Sequence, residues 1–168
     1  MGLQCEHWVI KCTSHTPYLT DLISCIPLNC ELLNIEVDNG GLGHIASMQQ
    51  IISAKNLELK TSDESEQPSV PQVSNKQLLN FQANYLRVFS SRITEEGINE
   101  LIKQTFKNDN AFYAELNVQK GFDLSVSKIL DSFEFEQVDG TFYVKSSTKS
   151  LNLRIVDQTV IIEQTDKK

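Results

Sequence analysis

The chain has 168 residues, 40% hydrophobic and 22% charged, with a formal net charge of −7. This is enough for one ordinary globular domain or two small ones, and no apolar run approaches the roughly eighteen residues that a membrane helix needs. The charge divides as −3 over residues 1–60, −2 over 61–77 and −2 over 78–168, which argues against nucleic acid as a partner because phosphate neutralisation needs clustered Lys and Arg.

In residues 6–13, HWVIKC places Trp8, Ile10 and Cys12 on one face of a short strand. Thr16 then offers an N-cap and Pro17 the favoured first helical position, with Leu19, Leu22, Ile23 and Ile26 following at helical spacing until Pro27. Leu33, Ile35 and Val37 return to strand alternation. Four cysteines, Cys5, Cys12, Cys25 and Cys30, fall in this stretch. No secretory signal pattern precedes them, so they are expected to be reduced in an intracellular, cytoplasmic setting. Cys12 and Cys25 sit at positions expected to face the core. No close Cys-x-x-Cys pair marks a zinc site, and no metal is expected. Gly2 follows Met1, but Glu6 stands where a myristoylation motif needs Ser or Thr.

The turn Asp38-Asn39-Gly40-Gly41-Leu42-Gly43 leads into an expected helix carrying Ile45, Met48 and Ile52 and ending near Lys55, followed by a strand with Leu57 and Leu59. Gly41-Leu42-Gly43-His44-Ile45-Ala46 has the outline G-x-G-x-x-A, in which a backbone can approach a phosphate at a helix start. Gly41, Gly43 and His44 are therefore the candidate ligand-binding residues, although the further β-α units of a dinucleotide fold do not follow.

Residues 61–77, TSDESEQPSVPQVSNKQ, contain no aromatic and only Val70 and Val73 as sizeable apolar side chains. That composition buries too little surface to offset ordering entropy and reads as a polar linker or long loop. It divides the chain into a small α/β module over 1–60 and an α+β module over 78–168. After it, Leu78, Phe81, Tyr85, Leu86 and Phe89 suggest an amphipathic helix, with YLRVF fitting a strand equally well. Thr94 caps a helix reaching Asn108, Ile93 and Ile98 staple its start, and Ile98, Leu101, Ile102, Thr105 and Phe106 form its buried stripe.

Residues 112–118 then read as a strand, and Val126, Ile129, Leu130 and Phe133 as a short helix. FEFEQV, an Asp139-Gly140 turn and TFYVKS give a strong hairpin signal, continued by Leu151, Leu153, Ile155, Val160 and Ile162. Within the hairpin, Phe135, Val138, Phe142 and Val144 are expected on one face, opposite Glu136, Thr141 and Tyr143. The expected fold is mixed α+β: a ferredoxin-like β-α-β unit, the polar linker, then helices with a C-terminal antiparallel β-meander. No internal repeat stands out.

His7, His15 and His44 have no readable catalytic partner, and nucleophile-elbow, P-loop and H-E-x-x-H patterns are absent. The carboxylates at Glu95, Glu96 and Glu100 suit a helix start, and those at Glu134 and Glu136 suit the solvent side of a strand. No cofactor is expected. The reading is a noncatalytic protein-binding chain or accessory subunit of an assembly, with the C-terminal sheet as contact surface and Phe135, Phe142, Tyr143 and Val144 as its candidate residues. The alternative is a small-ligand or nucleotide-binding enzyme or regulatory module using the loop from Gly40 to Ala46.

Overall fold

A computed structural model of the chain describes residues 6–12, 18–38, 42–61, 72–108, 110–118 and 124–165. Strand and helix alternate through the first two thirds: β1 (His7–Cys12), α1 (Leu19–Ser24), β2 (Leu32–Val37), α2 (Gln49–Ile52), β3 (Asn56–Thr61), α3 (Asn75–Leu78), β4 (Tyr85–Phe89), α4 (Glu95–Lys107) and β5 (Tyr113–Asn117). After α5 (Val126–Ile129) come β6 (Glu134–Val138), β7 (Thr141–Lys145), β8 (Ser150–Val156) and β9 (Thr159–Thr165). Mixed α/β content is thus established, with strands predominating. None of the described helices is long and apolar enough to cross a membrane.

The nine described strands form one sheet in the order β1-β2-β3-β4-β5-β9-β8-β7-β6. The first five are parallel and adjacent in chain order, and β9, β8, β7 and β6 continue the sheet antiparallel. Parallel crossovers are right-handed, so a sheet that grows always in one direction puts every connecting helix on the same face. The core agrees: Leu19, Ile23, Ile51, Leu78, Ile98 and Ile102 share one cluster with Leu33, Ile35, Leu57, Leu86 and Leu116.

This corrects the expected ferredoxin-like unit. In a split β-α-β arrangement another strand lies between the two parallel ones, whereas here β1 pairs directly with β2 from His7↔Leu32 to Cys12↔Val37. The β-α-β pattern in a sequence is the same in both cases. A repeat also emerges: the parallel strands begin at His7, Leu32, Asn56, Tyr85 and Tyr113, a recurrence of about 24 to 29 residues typical of β/α solenoids. It is hidden because each unit shares little more than two inward apolar positions, while the returning helix varies from 4 residues in α2 to 13 in α4.

The polar stretch does not divide the sheet, since β3 and β4 on either side of it pair from Asn56↔Tyr85 to Leu59↔Val88. Its described ends are packed. Thr61 is the buried last residue of β3, Val73 is fully buried, and Ser74 caps α3 with a capping box completed by Gln77. Residues 62–71 lie outside the described set, as do Thr16, Pro17, Cys5 and His15.

One reading left open is decided, and two further expectations are corrected. YLRVF is strand β4, in which Leu86 and Val88 enter the core while Tyr85, Arg87 and Phe89 point the other way. The expected helix over 45–55 is only α2, preceded by turns. Cys25 is exposed and its neighbour Leu22 is 46% exposed, so the buried face of α1 consists of Leu19 and Ile23, with Ile26 buried just beyond. By contrast, α4 starts at the Thr94 cap and buries Ile98, Leu101, Ile102 and Thr105. Each of those aliphatic side chains stabilises the fold by about 1.5–3 kcal/mol through burial, so a charge at Ile102 would break the helix from the sheet.

Candidate functional site

The helices leave the second face of the sheet uncovered by any described element. Register fixes what that face presents: one row runs Val9, Asn34, Glu58, Arg87, Glu115, Ile161, Arg154, Thr141, Val138, and the next runs His7, Leu32, Asn56, Tyr85, Tyr113, Glu163, Asn152, Tyr143, Glu136. Tyr85 and Tyr113 stack with ring centroids 5.2 Å apart.

Charges in the parallel part of this face satisfy one another. Asn34 Nδ2 donates to Glu58 Oε2 at 2.9 Å, Lys60 pairs with the same oxygen at 2.8 Å, and Lys11 pairs with Glu36 at 2.8 Å. Arg87 donates to Glu115 Oε2 through Nε at 2.9 Å and Nη2 at 2.6 Å, and these bonds hold its guanidinium pKa above its ordinary value. Each carboxylate already serves a cation or an amide, so the ladder gives cohesion between strands rather than an acid and a base poised for proton transfer. The sequence does not show it because the members that meet across neighbouring strands lie 24 to 29 residues apart, and only register brings them together.

The antiparallel part differs. Strand β6 is the outer edge, and all five of its residues are exposed. Phe135 is 43%, Val138 52% and Tyr143 37% exposed. Phe142 and Val144, named with Phe135 and Tyr143 as candidate contacts, face inward and are buried, so neither can touch a partner directly. The split follows from register. Phe135 pairs with Val144 on the helix-side face and meets the Phe142 ring edge-on, with centroids 5.8 Å apart. Val138, expected on that same face, pairs with Thr141 and lies on the open face with Tyr143. The turn between the strands is formed by Asp139 and Gly140, both with positive φ, as two-residue hairpins of this twist require. Of the edge charges, Glu136 is held by Lys145 at 2.9 Å.

Among the glycine-loop candidates, Gly41 lies outside the described residues, Gly43 is buried and His44 is exposed. The backbone N–H groups of Ile45 and Ala46 both donate to Leu42 O, at 3.2 and 3.0 Å. They are spent within the turn instead of converging on open space. The Gly43 carbonyl accepts from Gln77 Nε2.

Cys12, Cys25 and Cys30 are free thiols, and burial pushes the Cys30 thiol above its ordinary pKa. Among the described residues no group of three or more His, Cys, Asp or Glu side chains is placed to hold a metal ion. Of the basic residues around the α4 region, Arg87 is committed to Glu115 and Lys103 to Glu100. Comparison of the chain with protein-family models, curated proteins and solved structures found no match.

Proposed function

We propose that this chain is a noncatalytic protein-binding subunit that receives a partner at the β6 edge of its sheet. The observation that carries the reading is the exposure of every residue of β6, beside a neighbour, β7, whose Phe142 and Val144 are buried. A terminal strand offers unpaired N–H and C=O groups along its outer side, which a partner strand satisfies at once. Phe135 on one face and Val138 with Tyr143 on the other add apolar surface that such a strand would cover. The spent N–H groups at Ile45 and Ala46 and the mutually satisfied open-face carboxylates favour this reading over an enzyme built on the glycine loop.

The test is purification of the full chain under native conditions, followed by hydrogen exchange on the complex obtained. The reading predicts that outward amides within 134–138 exchange quickly in the free chain and slowly in the complex. Protection confined to elements other than β6 and β7 would contradict it.

A further inference from the structure

Three successive connections meet beyond the carboxyl ends of β2, β3 and β4, and they border an open, solvent-facing pocket of about 400 Å³. Ser47 comes from the turn after β2, Lys76 and Asn80 from α3 and the turn that follows it, and Arg92 from the segment after β4. Their backbones are fixed to one another. Gln77 Nε2 donates to Gly43 O and, at 3.1 Å, to Ser47 Oγ, while Gln77 Oε1 accepts from Ser74 N at 3.0 Å. Ser90, itself buried, donates to Val73 O at 2.6 Å and accepts from Arg92 N at 3.2 Å. The Arg92 side chain therefore starts from a point tied to the segment that leads into α3 and Lys76.

The chemistry lining this pocket runs against the rest of the molecule. In a chain of net charge −7, its wall holds Lys76 and Arg92 and no carboxylate among the described residues. Most other described cations are consumed: Lys11, Lys55, Lys60, Arg87, Lys103 and Lys145 each form an ion pair. Lys76 and Arg92 form none among the described residues. The Ser47 hydroxyl accepts from Gln77, which leaves its own proton to donate, and the Asn80 amide adds two further donors. The pocket is thus a set of donors around two positive charges, the complement of a dianionic oxyanion.

We propose that this pocket binds the phosphate group of a small hydrophilic phosphate ester. Arg92 supplies a planar fork for two phosphate oxygens, Lys76 a point charge, and Ser47 and Asn80 neutral donors. Among the described residues the wall contains no aliphatic side chain and no ring other than the His44 imidazole, so a nucleobase has no large apolar side chain to stack on and a polyol finds hydrogen-bonding groups. The site uses side chains, not the glycine-loop amides, and is independent of partner binding at β6.

The test is calorimetric titration of the full chain with inorganic phosphate, glycerol 3-phosphate and adenosine monophosphate. Wild-type protein should bind phosphate and glycerol 3-phosphate saturably, and adenosine monophosphate no more tightly than glycerol 3-phosphate. Lys76→Met and Arg92→Met should each weaken binding by about tenfold or more, with circular dichroism and melting temperature unchanged because both side chains are exposed. Arg92→Lys should fall between. Absence of saturable binding at millimolar ligand, or unchanged affinity in the methionine variants, would overturn the site. Tightest binding of the nucleotide, or of free phosphate with the ester excluded, would overturn the ligand class. Val138→Lys should bind phosphate as wild type does, which keeps this outcome separate from that at the sheet edge.

Discussion

The carboxamide of Asn75 and the N-cap residue Thr94 exchange two hydrogen bonds: Asn75 Nδ2 donates to Thr94 Oγ1 at 2.8 Å, and Thr94 N donates to Asn75 Oδ1 at 3.0 Å. This clasp ties the first residue of α3 to the start of α4. Gly97, whose N–H donates to Thr94 Oγ1 at 3.5 Å, leaves the space that the carboxamide occupies, and a methyl group at position 97 would overlap it.

Gly97→Ala should therefore destabilise the protein. Its helix-propensity gain of about 1 kcal/mol is outweighed by displacement of Asn75 and the loss of two hydrogen bonds of about 1 kcal/mol each plus strain, for a net loss of about 1 kcal/mol. In an Asn75→Ala background the same change should cost less by at least ~1 kcal/mol, because the clasp is already gone. Urea denaturation of the four proteins measures this coupling. Strict additivity would refute the clasp.

Val73 lies at the end of a segment whose composition suggests solvent, yet it is fully buried and its carbonyl accepts from Ser90. Val73→Ala should cost about 2 kcal/mol in chemical denaturation, the range for emptying a core position. A change below about 0.5 kcal/mol, the usual surface value, would mean that this segment is solvated after all.

The described thiols should differ in reactivity. Cys25 is exposed, with its Sγ directed at Asp21 O at 3.4 Å, whereas Cys30 is 5% exposed and held protonated by its surroundings. The thiolate is the reactive form. In native protein a thiol reagent followed by peptide mapping should mark Cys25 first and Cys30 only after denaturant is added. Equal rates would contradict the packing around α1 and the turn that follows it.

Lys55 hydrogen-bonds the Glu31 carboxylate at 2.8 Å and, with its charge, holds the Glu31 pKa below the ordinary glutamate value. A depressed carboxyl contributes stability above its unfolded pKa and loses that contribution as pH falls through the folded pKa. The Glu31 titration followed by NMR should have a lowered midpoint that returns toward the ordinary value in Lys55→Met. An unchanged midpoint in the variant would show that the pair does not persist in solution.

The sequence was most readable where local chemistry decided the structure. Thr94, the Ile93 and Ile98 staple and the apolar stripe placed α4 within a residue of its observed ends, and Asp139-Gly140 marked the turn between β6 and β7. What local chemistry does not carry is adjacency. Nothing in HWVIKC and LLNIEV says that they are neighbours, and Tyr85 and Phe89 leave β4 readable as helix or strand because apolar side chains occupy both of its faces. The candidate contacts were partly legible for the same reason. Alternation separated Tyr143 from Phe142 and Val144, but burial, not alternation, decides which of them a partner can reach.

Partner binding is proposed at the outer edge and open face of β6 and β7. Its most direct test is copurification of the wild-type chain against Val138→Lys/Tyr143→Lys, two exposed positions whose replacement leaves the core untouched. The double variant should keep its circular dichroism and melting temperature and lose the partner. Undiminished capture of the same partner by the folded double variant, with capture lost instead on replacing Gly43, would place the contact at the glycine loop and rule out the β6 edge.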